Sequence, residues 1–359
     1  MQQLIVRGTP QEFECRPDAW QSLGAHLEKR QLTNILILHG KDSWAAAKPY
    51  FPELTNVKTH YAYYGGKCTN RQTDFFTAFI NEHQIDAVVA VGGGKVTDLA
   101  KSVANKTLLP VIILPTLAAT CAACTPLSVI YNEDGSMARY DVFSRSNTLV
   151  LIEPEVILHS PIDLMIAGIG DTLAKWYESE PMISQLAFKP MEIQIAEFAA
   201  RKSLDVLLTD SAAALKAMET KEINEAFLNV LETNILLAAM VGGFGDDYGR
   251  TSGAHSIHDA LTILPDSHHQ LHGNKVAYAI LVQLVIEKKF DEIERLLPFY
   301  HQLNLPTSLK AMNLELSEAD YQAVAQQATQ PDEMIHFLKE TITAEVVYQA
   351  MKDLEAKTA

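Results

Sequence analysis

The sequence predicts an α/β N-terminal domain built on a parallel sheet, followed by an all-α C-terminal domain. Three observations carry that prediction. Short aliphatic and β-branched runs alternate with amphipathic stretches through the first 150 residues, which is the pattern of strands covered on both faces by helices. Strand-like runs disappear after residue 161 and long helical periodicities take over. A chain of 359 residues has the length of two domains of ordinary size.

Taken in order, residues 34–39 (NILILH), 87–91 (AVVAV) and 111–115 (VIILP) are continuous β-branched runs suited to buried parallel strands. Residues 72–83 (QTDFFTAFINEH) space their apolar positions as a helix does. A hairpin is expected from 129–131 and 137–143, with the turn at 132–135 (NEDG), because Asp-Gly favours tight turns. The last strand is 149–152 (LVLI). Residues 193–208, 223–240 and 277–286 read as long helices. The boundary is placed at 160/161, giving domains 1–160 and 161–359.

Composition excludes several classes. Apolar residues make up 48% and charged residues 20%, so the chain has material for cores and is neither disordered nor low-complexity. The 29 basic and 44 acidic residues sum to −15, which argues against a nucleic-acid backbone as partner. Four cysteines are too few for a disulfide scaffold. The N-terminus lacks the apolar core of a signal peptide, so a cytoplasmic location is expected. Residues 107–131 carry no charge, but Pro110, Pro115 and Pro126 divide them, so a buried strand and loop is expected there rather than a membrane span.

The run Val91-Gly92-Gly93-Gly94-Lys95-Val96-Thr97-Asp98 follows a predicted strand and opens a helical pattern. Glycines let a backbone approach a phosphate, and a helix N-terminus offers unpaired N–H groups. A tight turn with no ligand remains the alternative, because the spacing is neither GxGxxG nor a P-loop. In the helical half, Gly168-Ile169-Gly170-Asp171 places an acid at an expected helix start. His255 and His258 share a helix face, and His268, His269 and His272 follow. Five of twelve histidines thus fall within 255–272. Imidazole with carboxylate is a ligand set for zinc, iron or manganese. An N-cap role for Asp171 and solvated loop positions for His268 and His269 stay open on spacing alone. Cys121-Ala122-Ala123-Cys124 has no second CxxC and reads as two small thiols in a loop.

These motifs occur in this order in one family. GGGKVTD at 92–98, PLSVIY at 126–131, GIGDTLAKWYE at 168–178, GAHSIHDALT at 253–262 and HGNKVAYAILVQLV at 272–285 resemble the iron-containing (group III) alcohol dehydrogenases. Within them the glycerol dehydrogenase branch is nearest, and the texture is most similar to its hydroxycarboxylate dehydrogenases. The resemblance implies a dehydroquinate synthase-like two-domain fold and hydride transfer between a nicotinamide and a small alcohol or carbonyl. It implies Asp171, His255 and His272 as ligands of one divalent metal, with zinc the first choice and iron or manganese the second. It implies NADP or NAD as cofactor. Gly94 and Lys95 match the pyrophosphate contacts, Gly92, Gly93 and Asp98 of the same run count as cofactor-binding, and Thr116, Thr125, Leu127 and Tyr131 line the dinucleotide and its nicotinamide. His258 matches a histidine near the reacting centre that is not a ligand. A homo-oligomer is implied, with no membrane and no nucleic-acid partner.

Three departures from glycerol dehydrogenases bear on specificity. Cys121 stands where they carry an aspartate that grips polyol hydroxyls, and Lys175 stands where they carry threonine. Together these remove a negative charge and add a positive one, which predicts an anionic substrate, a 2-hydroxy or 2-oxo acid. Pairing of Lys175 with Glu178, or extension of its amine to solvent, is the alternative. Gly40 followed by Lys41 replaces the aspartate that binds the adenosine ribose in NAD-using relatives, which predicts tolerance of NADP unless Asp42 takes over. Glycerol or another small polyol is the second substrate reading. A dehydroquinate synthase-like lyase is third, since only Lys175 offers itself to a substrate phosphate. A protein that has lost catalysis conflicts with the complete Asp171, His255 and His272 set.

Overall fold

The computed structural model describes residues 4–339 and 341–358. Its chain divides into two compact units, residues 7–162 with 217–239, and residues 163–216 with 240–358 and 4–6. This differs from a single boundary at 160/161. The chain crosses near that point, but one helical segment from the C-terminal half packs within the first unit. Its apolar face gave no sign of which unit it would cover.

The first unit holds β1 (Glu12–Cys15), α1 (Leu23–Lys29), β2 (Asn34–His39), α2 (Lys41–Ala47), β3 (Lys58–Tyr63), α3 (Asn70–His83), β4 (Ala87–Gly92), α4 (Gly94–Thr107) and β5 (Val111–Pro115). β6 (Leu127–Tyr131), β7 (Met137–Val142), β8 (Leu149–Ile152) and α5 (Pro154–Leu158) follow. Six strands form one parallel sheet in the order β1-β8-β5-β4-β2-β3, and β6 and β7 pair as the expected antiparallel hairpin. The central strands are the apolar runs. Every residue of β4, β5 and β8 is buried. The two edge strands escaped the sequence reading, because EFEC and KTHYAY are covered on fewer sides and mix polar with apolar residues. Residues 107–131 form the end of α4, β5, a loop and β6, not a membrane span.

α6 (Ile162–Ile183) leads into the second unit, and α7 (Met191–Thr220) crosses back. α8 (Glu225–Glu232) continues through a π-helical turn, Thr233–Leu237, into α9 (Ala238–Gly245). Residues Glu225–Gly245 have the length and hydropathy of a membrane span, with just over half of that stretch buried, as suits a core helix. α10 (Asp247–Arg250), α11 (Gly253–Leu261), α12 (His272–Ile286), α13 (Phe290–Leu303), α14 (Glu318–Ala328) and α15 (Ala344–Thr358) complete the second unit. α12 is apolar almost all round and buried from Lys275 to Ile286, which makes it the axis on which α11 and α15 pack.

Glu333, in the turn packed behind α11, is half-buried and bonded to Ser256. Burial pushes its carboxyl from the ordinary 4.5 up to about 7, with Asp259 and Asp332 adding to the shift against the pull of Ser256 and His336. The folded state therefore holds this proton more tightly than the unfolded chain does. Its contribution to stability is complete below pH 4.5 and is lost as the pH rises through 7. Glu333→Gln is expected to flatten this decline and raise the melting temperature at pH 8, as measured by calorimetry from pH 4.5 to 8.

Candidate functional site

In the first unit the chemistry gathers at the C-terminal ends of β2 and β4. β3 lies on one side of β2 and β4 on the other, so the chain order reverses there. That is where open α/β sheets bind ligands. Ser43 Oγ accepts from Gly40 N at 2.9 Å and donates to Val91 O at 3.1 Å, tying the loop after β2 to the glycine run. α4 opens at Gly94 with Gly93 as its cap residue, and its first-turn N–H groups have no helical acceptor. A Cβ on Gly93 would lie 2.8 Å from Leu117 Cδ1, and one on Gly92 would lie 2.9 Å from Val96 Cγ2. The small cavity above them is lined by Gly92, Gly93, Gly94, Leu117, Thr120 and Ala122. Lys95 is exposed, with Nζ 5.7 Å from the Tyr131 ring centre. Thr116 is buried, and its Oγ1 has no hydrogen-bond partner among the described residues. A phosphate-bearing cofactor fits this cradle of glycines at a helix N-terminus.

Asp98 does not belong to that cradle. It is buried, its Oδ2 accepts from Val129 N at 3.2 Å, and its Oδ1 lies 3.0 Å from Lys101 Nζ. Burial raises its pKa despite Lys101. Lys41 and Asp42 are both exposed in the first turn of α2, and Lys41 Nζ lies 5.4 Å from the Tyr63 ring centre. Thr125 and Leu127 are partly buried at the end of the loop that begins at Thr116. Cys121 is half-buried in a tight turn where Cys124 N donates to Cys121 O, whereas Cys124 is buried and its thiol is pushed far up by burial.

In the second unit, Asp171 sits in the middle of α6 and is no N-cap. The neighbouring glycines, read from the sequence as a helix start, instead let two helices touch. A Cβ on Gly170 would lie 2.6 Å from Gly273 O, and one on Gly273 would lie 1.7 Å from Ala167 O. α6 and α12 therefore meet backbone to backbone, with Asp171 and His272 beside the crossing. α11 adds His255. Asp171 Oδ1 is 3.2 Å from His272 Nε2 and 3.5 Å from His255 Nε2. One ligand atom from each of these residues lies within 4.8 Å of the others.

The outer face of each imidazole is also occupied. His255 Nδ1 lies 2.6 Å from Glu178 Oε2, and Glu178 Oε1 accepts from Ser252 N at 2.7 Å and His255 N at 2.8 Å. His272 Nδ1 lies 2.9 Å from His258 Nε2, and His258 Nδ1 lies 2.8 Å from Asp259 Oδ1. With protons on the three Nδ1 atoms, both His255 and His272 turn a bare Nε2 towards Asp171. A carboxylate with two such nitrogens is a donor set that fits a divalent metal. Burial alone would raise Asp171, but His272, His255 and Lys175 outweigh it and hold the carboxyl well below its usual range. Burial opposes charging of His255, yet Glu178 lifts it to about 9, so a metal at its Nε2 near neutral pH would displace the second proton. Burial, reinforced by His272, drives His258 down to about 3, so it serves as a neutral acceptor.

Glu178 and Gln283 escaped the sequence reading as site residues. Glu178 follows Asp171 by two helical turns, a spacing that puts both on one face of α6. Gln283 gave no signal beyond being polar in an apolar run. It is fully buried, accepts from Ala254 N at 2.9 Å and donates to Tyr177 O at 2.7 Å, so one amide joins α11, α6 and α12. Lys175 is only 8% exposed and donates to Arg250 O at 3.2 Å, which overturns the reading that its amine reaches solvent. Its charge acts on Asp171, Glu178 and His255. His268 and His269 are exposed, with His268 Nε2 on Thr262 O at 2.8 Å, and take no part.

Residues 10–154 match the profile of the family described as iron-containing alcohol dehydrogenase. Hydroxycarboxylate dehydrogenase A of Escherichia coli strain K12 is 35% identical over 97% of this chain and 96% of its own. The chain belongs to the iron-containing alcohol dehydrogenase family. Glycerol dehydrogenase of Thermotoga maritima is 34% identical over 84% of this chain and 83% of its own. A probable glycerol dehydrogenase from Sinorhizobium meliloti 1021 superposes with a TM-score of 0.89 at 29% identity, covering 99% of both chains. Membership makes the protein a metal-dependent, NAD(P)-linked oxidoreductase that acts on alcohols. Glu178→Gln keeps the shape, but with the amide oxygen held by Ser252 N and His255 N it turns an NH2 donor towards His255 Nδ1 in place of the acceptor. It is expected to lower metal affinity about 10–100-fold with the far-ultraviolet dichroism unchanged, as read by metal analysis after graded chelation.

Proposed function

We propose that this enzyme interconverts 2-hydroxy acids and 2-oxo acids, with Asp171, His255 and His272 holding one divalent metal ion, zinc first and iron or manganese second. The observation that carries the substrate class is Lys175, a buried lysine one helical turn from Asp171. A cation in a partly dehydrated site favours a carboxylate far more strongly than it would in water. The similarity to a hydroxycarboxylate dehydrogenase over nearly the full length supports the same reading. The relatives named glycerol dehydrogenase keep a small polyol as the second reading. Cys121 weighs against it, since a thiol is a weak partner for hydroxyls.

When bound, the metal would polarise the substrate oxygen as a Lewis acid. The nicotinamide would give or accept the hydride. The chain does the rest. Glu178 fixes the ring of His255, and the Asp259–His258 pair fixes that of His272. Lys175 orients the substrate through its carboxylate. Gly92, Gly93, Gly94 and Lys95 take the pyrophosphate, while Thr116, Thr125, Leu127 and Tyr131 line the dinucleotide. Gly40 presents no acid to repel the extra phosphate of NADP, and the exposed Lys41 favours it, so both NADP and NAD are accepted. Within this proposal the enzyme works in the cytoplasm, and it is a homo-oligomer, as its family resemblance implies.

The test is an assay of the metal-reconstituted enzyme with NADPH or NADH and 2-oxobutyrate or 2-oxoglutarate, against glycerol with NAD⁺ or NADP⁺. Rapid oxo-acid reduction with negligible glycerol turnover is expected. Lys175→Thr is expected to reduce kcat/KM for the oxo acid at least about 30-fold, the ~2 kcal/mol of a lost buried charge contact. Adding Cys121→Asp should move activity towards glycerol. Retained oxo-acid reduction without any gain on glycerol in the double variant sinks the charge argument.

A further inference from the structure

Lys101 is the most deeply buried lysine of the first unit, 2% exposed, and the chemistry described above does not use it. It lies seven residues, two helical turns, after Gly94 and therefore on the same face of α4. At the top of that face, a Cβ on Gly94 would lie 3.5 Å from Thr120 Oγ1 and 3.9 Å from Ala122 Cβ. Two turns below, Lys101 Nζ donates to Ala122 O at 2.8 Å, to Thr125 O at 3.2 Å and to Leu127 O. An ammonium has three N–H groups, and they meet two carbonyls of the loop and that of Leu127, where β6 begins. Asp98 Oδ1, 3.0 Å away, balances the charge.

Two further buried side chains grip the same loop from other directions. Asn147, 2% exposed, donates through Nδ2 to Ala123 O at 2.8 Å and Thr125 O at 3.3 Å. Asn234, fully buried in the π-helical turn, donates to Ala118 O at 3.1 Å. The carbonyls of 118, 122, 123, 125 and 127 are thus met by three buried donors, from α4, from the connection between β7 and β8, and from the π-helical turn. A buried ammonium is costly to desolvate, and a well-packed apolar side chain often serves stability as well or better. Its place here is beside a stretch with no helix or strand between β5 and β6.

We infer that Lys101, assisted by Asn147 and Asn234, is the positioning residue that locks the 118–127 loop in the shape needed to receive the dinucleotide. This rests on the reading, given under Proposed function, that Thr116, Thr125 and Leu127 line that ligand. Lys101 touches neither cofactor nor substrate. It acts by pre-organising backbone that an unpinned loop would have to order on binding.

The test compares wild-type enzyme with the double variant Lys101→Met and Asp98→Asn, which removes both buried charges together, and with the single variants Asn234→Ala and Lys101→Arg. Amide exchange is measured over residues 116–127, NADH and NADPH affinity by fluorescence titration, and metal content by elemental analysis. The double variant should exchange faster in this loop, bind both cofactors on the order of tenfold more weakly and keep its metal. KM for the cofactor should rise more than kcat falls. Asn234→Ala should shift the same readouts less, and Lys101→Arg should recover part of the affinity. If the double variant fails to fold, Asn234→Ala carries the test. Unchanged exchange, or faster exchange with unchanged cofactor affinity, overturns the inference. Failure of the wild type to bind NADH or NADPH overturns the cofactor assignment on which it rests.

Discussion

The backbone contact between α6 and α12 at Gly170 and Gly273 is the constraint on which the second unit depends. No side chain larger than hydrogen fits at either position, because each Cα faces a carbonyl of the opposite helix. The close approach brings Asp171 and His272, each adjacent in sequence to one of the two glycines, within reach of each other. α11 is then held against both helices by Gln283 and Glu178, which delivers His255. The candidate metal centre is therefore a product of helix packing, not of a flexible loop, and packed helices hold ligands more accurately than loops do.

That packing has an electrostatic consequence. Asp171, Glu178 and Asp259 are carboxylates taken out of water, and each is held below its usual range by imidazoles, with Lys175 adding its charge to the first two. Each imidazole uses one nitrogen outward and turns the other inward. Lys275, one turn after His272, is pushed down to about 8 by burial against the pull of Asp259. Buried charge at this density persists only where every member has a partner. The donor geometry is accordingly set before any metal arrives.

The first unit solves a similar problem with different groups. There the backbone of the candidate cofactor cradle is a helix N-terminus beside an irregular loop, and that loop has no regular hydrogen-bond ladder of its own. The sheet fixes the ends of the strands, Ser43 ties the loop after β2 to the end of β4, and buried donors fix the carbonyls of 118–127. In both units, groups that would be costly to bury alone are paired, and the pairing positions the chemistry.

The central strands, the hairpin and the long helices were legible because continuous apolar runs and helical periodicity report burial directly. β1 and β3 were not, since an edge strand needs no such run. The Asp171, His255 and His272 set and the glycine loop were legible as motifs, and family resemblance sharpened them into roles. Asp98 shows the limit of that method: it belongs to the motif, yet its carboxylate faces Lys101 and β6. By itself the sequence determined the class of fold, the family and the residue types available for chemistry, because these follow from local pattern and composition. Only the tertiary structure decided that Gly170 and Gly273 are packing contacts within and at the start of helices, that Glu178 and Gln283 serve the centre, that Lys175 is buried and that residues 217–239 join the first unit. Each of these depends on which distant backbone lies within a few ångströms, and a linear pattern carries no record of that distance.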